Sequence, residues 1–206
     1  MGRKYAEKEL LIFAGFKKII TNDCNMENIK VSDIAKAAEI GKGTIYEYFK
    51  SKDEIIAKSI MYIFKIEIKN TIESIKKIST FKEQCYELFY YSINSGKFIF
   101  PSLRMLYNHV IPTELNNILI EDCDEILELK SQLYKLIDYI INTGINENIV
   151  NKDLSRDYQR YTIISSSMGI INKISSYNCK HTYLIEDNNI DTQMNFAYTI
   201  ILKSLS

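Results

Sequence analysis

Residues 31–54 carry the pattern of two short helices joined by a tight turn and followed by the start of a third helix. Ile34, Ala35 and Ala38 form one apolar stripe on the first of these helices. Gly41 follows that stripe and supplies the permissive backbone that a tight turn between helices needs. This order of elements predicts a helix-turn-helix.

The second helix of the pair has an inward side and an outward side. Ile45 and Phe49 are four residues apart, so they face the same core. At about 100° per residue, the outward side is formed by Lys42, Gly43, Thr44, Tyr46, Glu47 and Tyr48. A small residue, a hydroxyl, two phenols and a lysine suit close approach to base edges and phosphate oxygens. The pattern favours a helix that enters the major groove of DNA, although solvated lysines on an ordinary helix surface share this composition.

The third helix begins with a capping box. The Ser51 hydroxyl and the Glu54 carboxylate are spaced to close its first turn. The free N–H groups of that turn, together with Lys52, predict an anchor for a phosphate group.

These residues resemble the tetracycline-repressor (TetR) family of bacterial regulators. The family motif Tyr-x-x-Phe-x-(Ser)-Lys-(Asp/Glu)-x-Leu corresponds here to the run Tyr46-Glu47-Tyr48-Phe49-Lys50-Ser51-Lys52-Asp53-Glu54-Ile55. The preceding run Lys42-Gly43-Thr44-Ile45 matches the family's start of the recognition helix. The resemblance covers about the first fifty residues. It implies an all-α chain with a three-helix DNA-binding domain over residues 1–50 and a helical effector-binding and dimerisation domain over residues 51–206.

The resemblance also implies which residues contact DNA. By resemblance, Lys42, Thr44, Tyr46, Tyr48 and Lys52 lie where members of the family contact DNA. The expected DNA-binding residues also include Lys30, Ser32, Gly43 and Glu47. Lys30 stands where the family often has a capping threonine, so Asn28 or Ser32 is expected to cap instead. Glu39 replaces the usual glycine of the turn. These departures bear on the target sequence rather than on DNA binding itself.

Charge and composition agree with this division. Residues 1–52 hold 10 Lys and Arg against 7 Asp and Glu, a net charge of +3, and the remainder holds 16 against 19, a net charge of −3. A basic head suits a protein that presents one end to DNA. Two prolines and recurrent helical spacing of Ile and Leu predict an all-α fold.

The sequence gives little support for an enzyme, a metalloprotein, a disulfide-stabilised protein or a membrane protein. The four cysteines are scattered and the two histidines, His109 and His181, lie beside no recognisable nucleophile. We therefore expect no disulfide framework, metal site, cofactor or catalytic site. An acidic cluster over residues 121–128 lacks the glycine of a calcium loop and suits a solvated helix face. No apolar run approaches the roughly twenty residues of a membrane span, so a cytoplasmic protein is expected.

The last two helices are predicted near residues 154–177 and 190–205. By resemblance they form the homodimer interface, whose expected residues are Ile163, Ser166, Gly169, Ile170, Met194, Tyr198 and Ile201. Dimers of such readers bind two half-sites of a palindromic operator about 34–36 Å apart. Alternatively, these apolar stripes only pack against the core of a single chain.

The middle of the chain is rich in aromatic residues, which suits an apolar pocket with a few polar groups. The predicted lining is Phe100, Arg104, Met105, Tyr107, Asn108, His109, Tyr134 and Tyr161. An aromatic stripe at helical spacing is also typical of an ordinary core.

The sequence favours a homodimeric repressor that binds double-stranded DNA and is released by an apolar or aromatic effector. Two alternatives stay open. One is a regulator with a filled core and no ligand, and the other is a helical interaction or ligand-carrier protein without specific DNA binding.

Overall fold

The computed structural model describes residues 5–22, 29–93, 123–178 and 189–206. All regular secondary structure in these residues is α-helical, which confirms the predicted fold class. The chain divides into two compact units, one holding described residues 5–22, 29–66 and 123–129 and the other holding 67–93, 130–178 and 189–206. The predicted domain boundary at residue 50 stays a prediction.

The first unit contains α1 (Glu7–Asn22), α2 (Val31–Ala37), α3 (Lys42–Tyr48) and the first part of α4 (Lys52–Ile75). The predicted start of α2 near residue 31 is confirmed, and α3, predicted from Lys42 to Phe49, begins at Lys42 and ends one residue earlier, at Tyr48. Its core residues include Ile12, Phe13, Phe16, Ile34, Ile45, Phe49 and Ile55, all at most 1% exposed. Burial of large apolar side chains is the main favourable term that holds these short helices together.

The second unit contains the end of α4, α5 (residues 81–93), α6 (Cys123–Asn146), α7 (Arg156–Asn178) and α8 (Ile190–Leu205). Each of these helices contributes to one hydrophobic core, which includes Ile75, Phe81, Phe89, Ile137, Ile140, Ile141, Ile163 and Ile201. α7 packs along α8. None of the helices in the described part of the chain is long and apolar enough to cross a bilayer.

The end of α6 corrects one expectation. The sequence predicts that Gly144 and Asn146 close this helix. The helix does end at Asn146, but Gly144 lies inside it, and the chain turns at Asn148, whose φ is 58°. The backbone N–H of Ile149 donates to the carbonyl of Gly144 at 2.9 Å, as in a Schellman motif. Gly144 is needed for space instead, because a Cβ there would lie 2.6 Å from Val150 Cγ2.

An ion pair joins α6 to α7. The Arg160 guanidinium donates from Nε and Nη2 to the two carboxylate oxygens of Asp138, at 2.8 and 2.6 Å. These hydrogen bonds hold the pKa of Asp138 below its usual value. The Arg160 guanidinium carbon also lies 5.1 Å from the centre of the Tyr134 ring.

Candidate nucleic-acid interface

An aromatic cluster fixes α3 against α1 and α4. The Phe13 ring lies 5.9 Å from that of Phe49, which ends α3, and 5.0 Å from that of Tyr62 on α4. Tyr5 closes the cluster with ring distances of 5.2 Å to Phe13 and 5.4 Å to Tyr62. Since Ile45 is also fully buried, α3 is held along its inward side and its opposite side is left to solvent.

α1 and α2 approach each other through a glycine. A Cβ on Gly15 would lie 2.7 Å from the backbone nitrogen of Ala38 and 2.8 Å from its Cβ. Real Cβ atoms do not come so close to a backbone atom, so only glycine permits this spacing of the two helices. The position of the helix-turn-helix on α1 therefore depends on one missing side chain.

The turn between α2 and α3 is built differently from the sequence prediction. Gly41 has an ordinary extended backbone with φ −69° and precedes α3 as its N-cap. Glu39 takes the left-handed conformation, with φ 58°. The Glu39 N–H donates to the Lys36 carbonyl at 3.3 Å and the Ile40 N–H to the Ala35 carbonyl at 3.1 Å. This is a Schellman motif in which a glutamate performs the role usually given to glycine.

Lys30 precedes α2 as its N-cap, and its backbone N–H donates to the Asp33 carboxylate at 3.1 Å. Ser32 is exposed on the first turn of α2, and Asn28, the other expected cap, lies outside the described residues. The first turn of α2 is thus capped by the carboxylate of its third residue. The sequence prediction considered only a hydroxyl or an amide side chain and did not include this carboxylate.

The outward side of α3 is available to a partner. Lys42, Gly43, Glu47 and the two tyrosines are exposed, with Tyr46 at 50% and Tyr48 at 37%. Apart from its chain neighbours and the adjacent backbone of α3, no atom of the described residues lies within 4 Å of the place where a Cβ on Gly43 would stand. Large aromatic side chains left in solvent beside an open backbone indicate a contact surface.

The remaining predicted contacts lie close by in sequence within the same unit. Lys30 and Ser32 are exposed, and Thr44 and Lys52 are half-buried. The Lys42 ammonium lies 6.0 Å from the Tyr46 ring centre, at the outer limit of a cation–π contact.

The start of α4 confirms half of the predicted capping box. The Ser51 hydroxyl accepts from the Glu54 N–H at 3.1 Å, but the Glu54 carboxylate accepts from the Lys50 N–H at 2.6 Å rather than from Ser51. The Lys58 ammonium donates to the same carboxylate at 2.6 Å. Burial opposes ionisation of Glu54, yet the hydrogen bonds from Lys58 and Lys50 outweigh it and lower its pKa. Glu54 is thus fully engaged within the protein.

Most of the residues predicted at the dimer interface are buried within the single chain. These six of the seven are Ile163, Ser166, Ile170, Met194, Tyr198 and Ile201. Their stripes close the chain's own core, because α7 and α8 pack on each other through these faces. Gly169 alone is exposed, with open space around it. The dimer itself stays a prediction.

Most of the predicted effector pocket lies outside the described residues, namely Phe100, Arg104, Met105, Tyr107, Asn108 and His109. Of the other two, Tyr134 is half-buried beside Arg160, and Tyr161 is 72% exposed. The exposure of Tyr161 places it on the surface of α7 rather than in an enclosed cavity.

Two exposed apolar residues of α8 form a surface that was not predicted. Phe196 and Ile200 on α8 are 57% and 55% exposed. They are four residues apart and form a second apolar stripe beside the buried one. The signal was present in the sequence as apolar residues on both faces of the helix.

Comparison with known proteins agrees with this geometry. Residues 24–58 match the family model described as bacterial regulatory proteins, tetR family. No curated protein matches the chain at a significant level.

Several solved structures share the fold. The transcriptional regulator FadR from Bacillus subtilis, in complex with stearoyl-CoA, is 20% identical with a TM-score of 0.66, and the match covers 96% of this chain and 99% of that one. A TetR transcription regulator from Haloarcula marismortui is 12% identical with a TM-score of 0.70, over 98% and 100% of the two chains. A regulator from Saccharomonospora viridis in complex with choline is 14% identical with a TM-score of 0.68, over 98% of both chains.

The family match falls on the segment that includes α2, the turn, α3 and the start of α4, which is where the outward-facing tyrosines and lysines lie. The shared fold extends over nearly the whole chain. Residues 24–58 are therefore similar to the tetR family model over the helix-turn-helix, and the chain shares its fold with solved transcription regulators of that family.

Proposed function

We propose that the chain is a ligand-responsive repressor that acts in the cytoplasm and binds a palindromic operator as a homodimer. α3 enters the major groove, and the lysines at residues 42 and 52 contribute phosphate contacts whose strength falls with salt. The observation that carries this proposal is the exposed side of α3, with two tyrosines and an open Gly43 backbone opposite the buried Ile45.

The first test is binding of the full chain to DNA from around its own gene, measured by fluorescence anisotropy at several salt concentrations. Tyr46→Ala is expected to weaken binding about tenfold or more, since one good groove contact contributes roughly 1–3 kcal/mol. Tyr46 is half exposed, so its removal leaves the core intact.

Scrambled DNA and Tyr139→Ala serve as controls, because Tyr139 is an exposed tyrosine on α6 in the other unit. Equal and weak binding to operator and scrambled DNA, lost at modest salt, contradicts the proposal. It would favour the carrier or interaction protein instead.

The proposed homodimer uses the exposed faces of α7 and α8. Tyr161 and Gly169 lie on the first face, and Phe196 and Ile200 on the second. The open space at Gly169 allows close approach of a partner helix. Apolar side chains more than half exposed along one helix are typical of a surface that a partner covers.

Phe196→Glu is therefore expected to convert the dimer to a monomer at micromolar concentration, because a buried unpaired carboxylate strongly disfavours association. Light scattering coupled to size-exclusion chromatography measures the mass directly. Tyr139→Glu adds the same charge to α6 and is expected to leave the dimer intact. A dimer that survives Phe196→Glu, or a wild-type monomer, contradicts the proposed interface.

The effector is proposed to bind the helical part that follows the helix-turn-helix. The FadR neighbour holds stearoyl-CoA and the Saccharomonospora neighbour holds choline, which supports a small-molecule ligand. A ligand releases DNA if it binds more tightly to a conformer whose two recognition helices do not fit both half-sites.

A further inference from the structure

Glu47 occupies the outermost position of α3. At about 100° per residue, it lies directly opposite the midpoint between the buried Ile45 and Phe49. Gly43, one turn earlier on the same side, has no atom of another described element within 4 Å of the position of its missing Cβ. The helix can therefore approach a surface closely at this point, and Glu47 is the side chain that reaches furthest.

The Glu47 carboxylate has no hydrogen-bond or ion-pair partner among the described residues. Glu54, by contrast, accepts from both the Lys50 N–H and the Lys58 ammonium. The nearest lysine of α3, Lys42, has its ammonium over the Tyr46 ring. Glu47 thus presents a carboxylate whose oxygens accept no hydrogen bond from the described part of the chain.

Such a group is selective in the major groove. It repels phosphates and the acceptor atoms of guanine and thymine, and a carboxylate characteristically accepts from the amino group at N4 of cytosine. A side chain at the centre of the outward side of a helix that lies in the groove faces base edges rather than the flanking backbone.

We infer that Glu47 is a specificity-determining residue that selects a cytosine at one symmetric position in each half-site of the operator. This inference rests on the proposed function, since it requires that α3 enters the major groove. In this role the Glu47 carboxylate recognises one base, although its negative charge lowers the non-specific affinity for DNA.

The test is enrichment of bound sequences from a random DNA pool by the full-length wild-type chain and by Glu47→Gln. The wild type is expected to enrich cytosine at the selected position by roughly five- to a hundredfold. Glutamine pairs with N6 and N7 of adenine, so Glu47→Gln is expected to shift that position to adenine and leave the others unchanged.

Glu73→Gln removes the same charge from an exposed residue of α4 that lies in the other unit, 3.9 Å from Lys69. It is expected to keep the wild-type consensus. An unchanged consensus for Glu47→Gln, with or without uniformly tighter binding, overturns the inference and leaves the proposed function standing. A wild-type chain that enriches no sequence overturns the proposed function and the inference with it.

Discussion

Gly15→Ala is expected to destabilise the unit that carries the helix-turn-helix by about 1–3 kcal/mol, the usual cost of overpacking a close contact. Alanine has a higher helix propensity than glycine, by up to about 1 kcal/mol, but the new Cβ would meet the Ala38 backbone nitrogen at 2.7 Å. A backbone atom cannot rotate away, so α2 must move. Urea unfolding of the full chain, followed by circular dichroism, measures the change.

Gly43→Ala is the matched control, because it makes the same substitution in the same unit at a place where no other described element lies within 4 Å of the new Cβ. Its stability is expected to equal or exceed that of the wild type. Both variants are expected to bind DNA less tightly, Gly15→Ala through loss of structure and Gly43→Ala through a methyl group at the contact surface. Equal stability of Gly15→Ala and Gly43→Ala contradicts the spacing of α1 and α2 described above.

Phe49→Ala is expected to have the largest effect, a loss of about 3–5 kcal/mol in the free energy of unfolding of that unit. Phe49 is 1% exposed and its ring packs 5.9 Å from that of Phe13. The cavity left behind would release the end of α3 from α1. Amide hydrogen exchange over α1 to α3, and DNA anisotropy on the same samples, measure the loss of structure and of binding together.

Tyr48→Ala is the control that separates a loss of DNA binding from a loss of structure. Tyr48 is the aromatic residue next to Phe49, and it is 37% exposed. Its stability is expected to change by no more than about 0.5 kcal/mol, while its DNA affinity falls. Retained protection from exchange in Phe49→Ala would contradict the role of the aromatic cluster in holding the recognition helix.

Local patterns were sufficient for the elements that hold the site. The apolar stripe from Ile34 to Ala38 and the pair Ile45 and Phe49 predicted α2 and α3, since helical periodicity is a property of neighbouring residues. The hydroxyl of Ser51 was likewise confirmed as a cap.

Features that depend on distant residues were not predicted. The ion pair of Asp138 with Arg160 joins residues 22 positions apart, and the packing of Gly144 against Val150 depends on the path of the chain after α6. An apolar stripe such as Met194, Tyr198 and Ile201 indicates that these side chains are buried against another helix. The sequence does not show whether that helix belongs to the same chain or to a second copy. The structure places that stripe in the chain's own core.

The left-handed glutamate in the turn has a consequence for recognising chains of this kind from sequence. A non-glycine residue at φ 58° costs roughly 1–2 kcal/mol, which the hydrogen bonds of the turn and the packing around it sustain. The turn therefore keeps the left-handed backbone conformation, although glutamate stands in the place of the usual glycine. A search pattern that requires glycine at this position would miss such chains, whereas one that scores the spacing of the buried residues on either side of the turn would not depend on it.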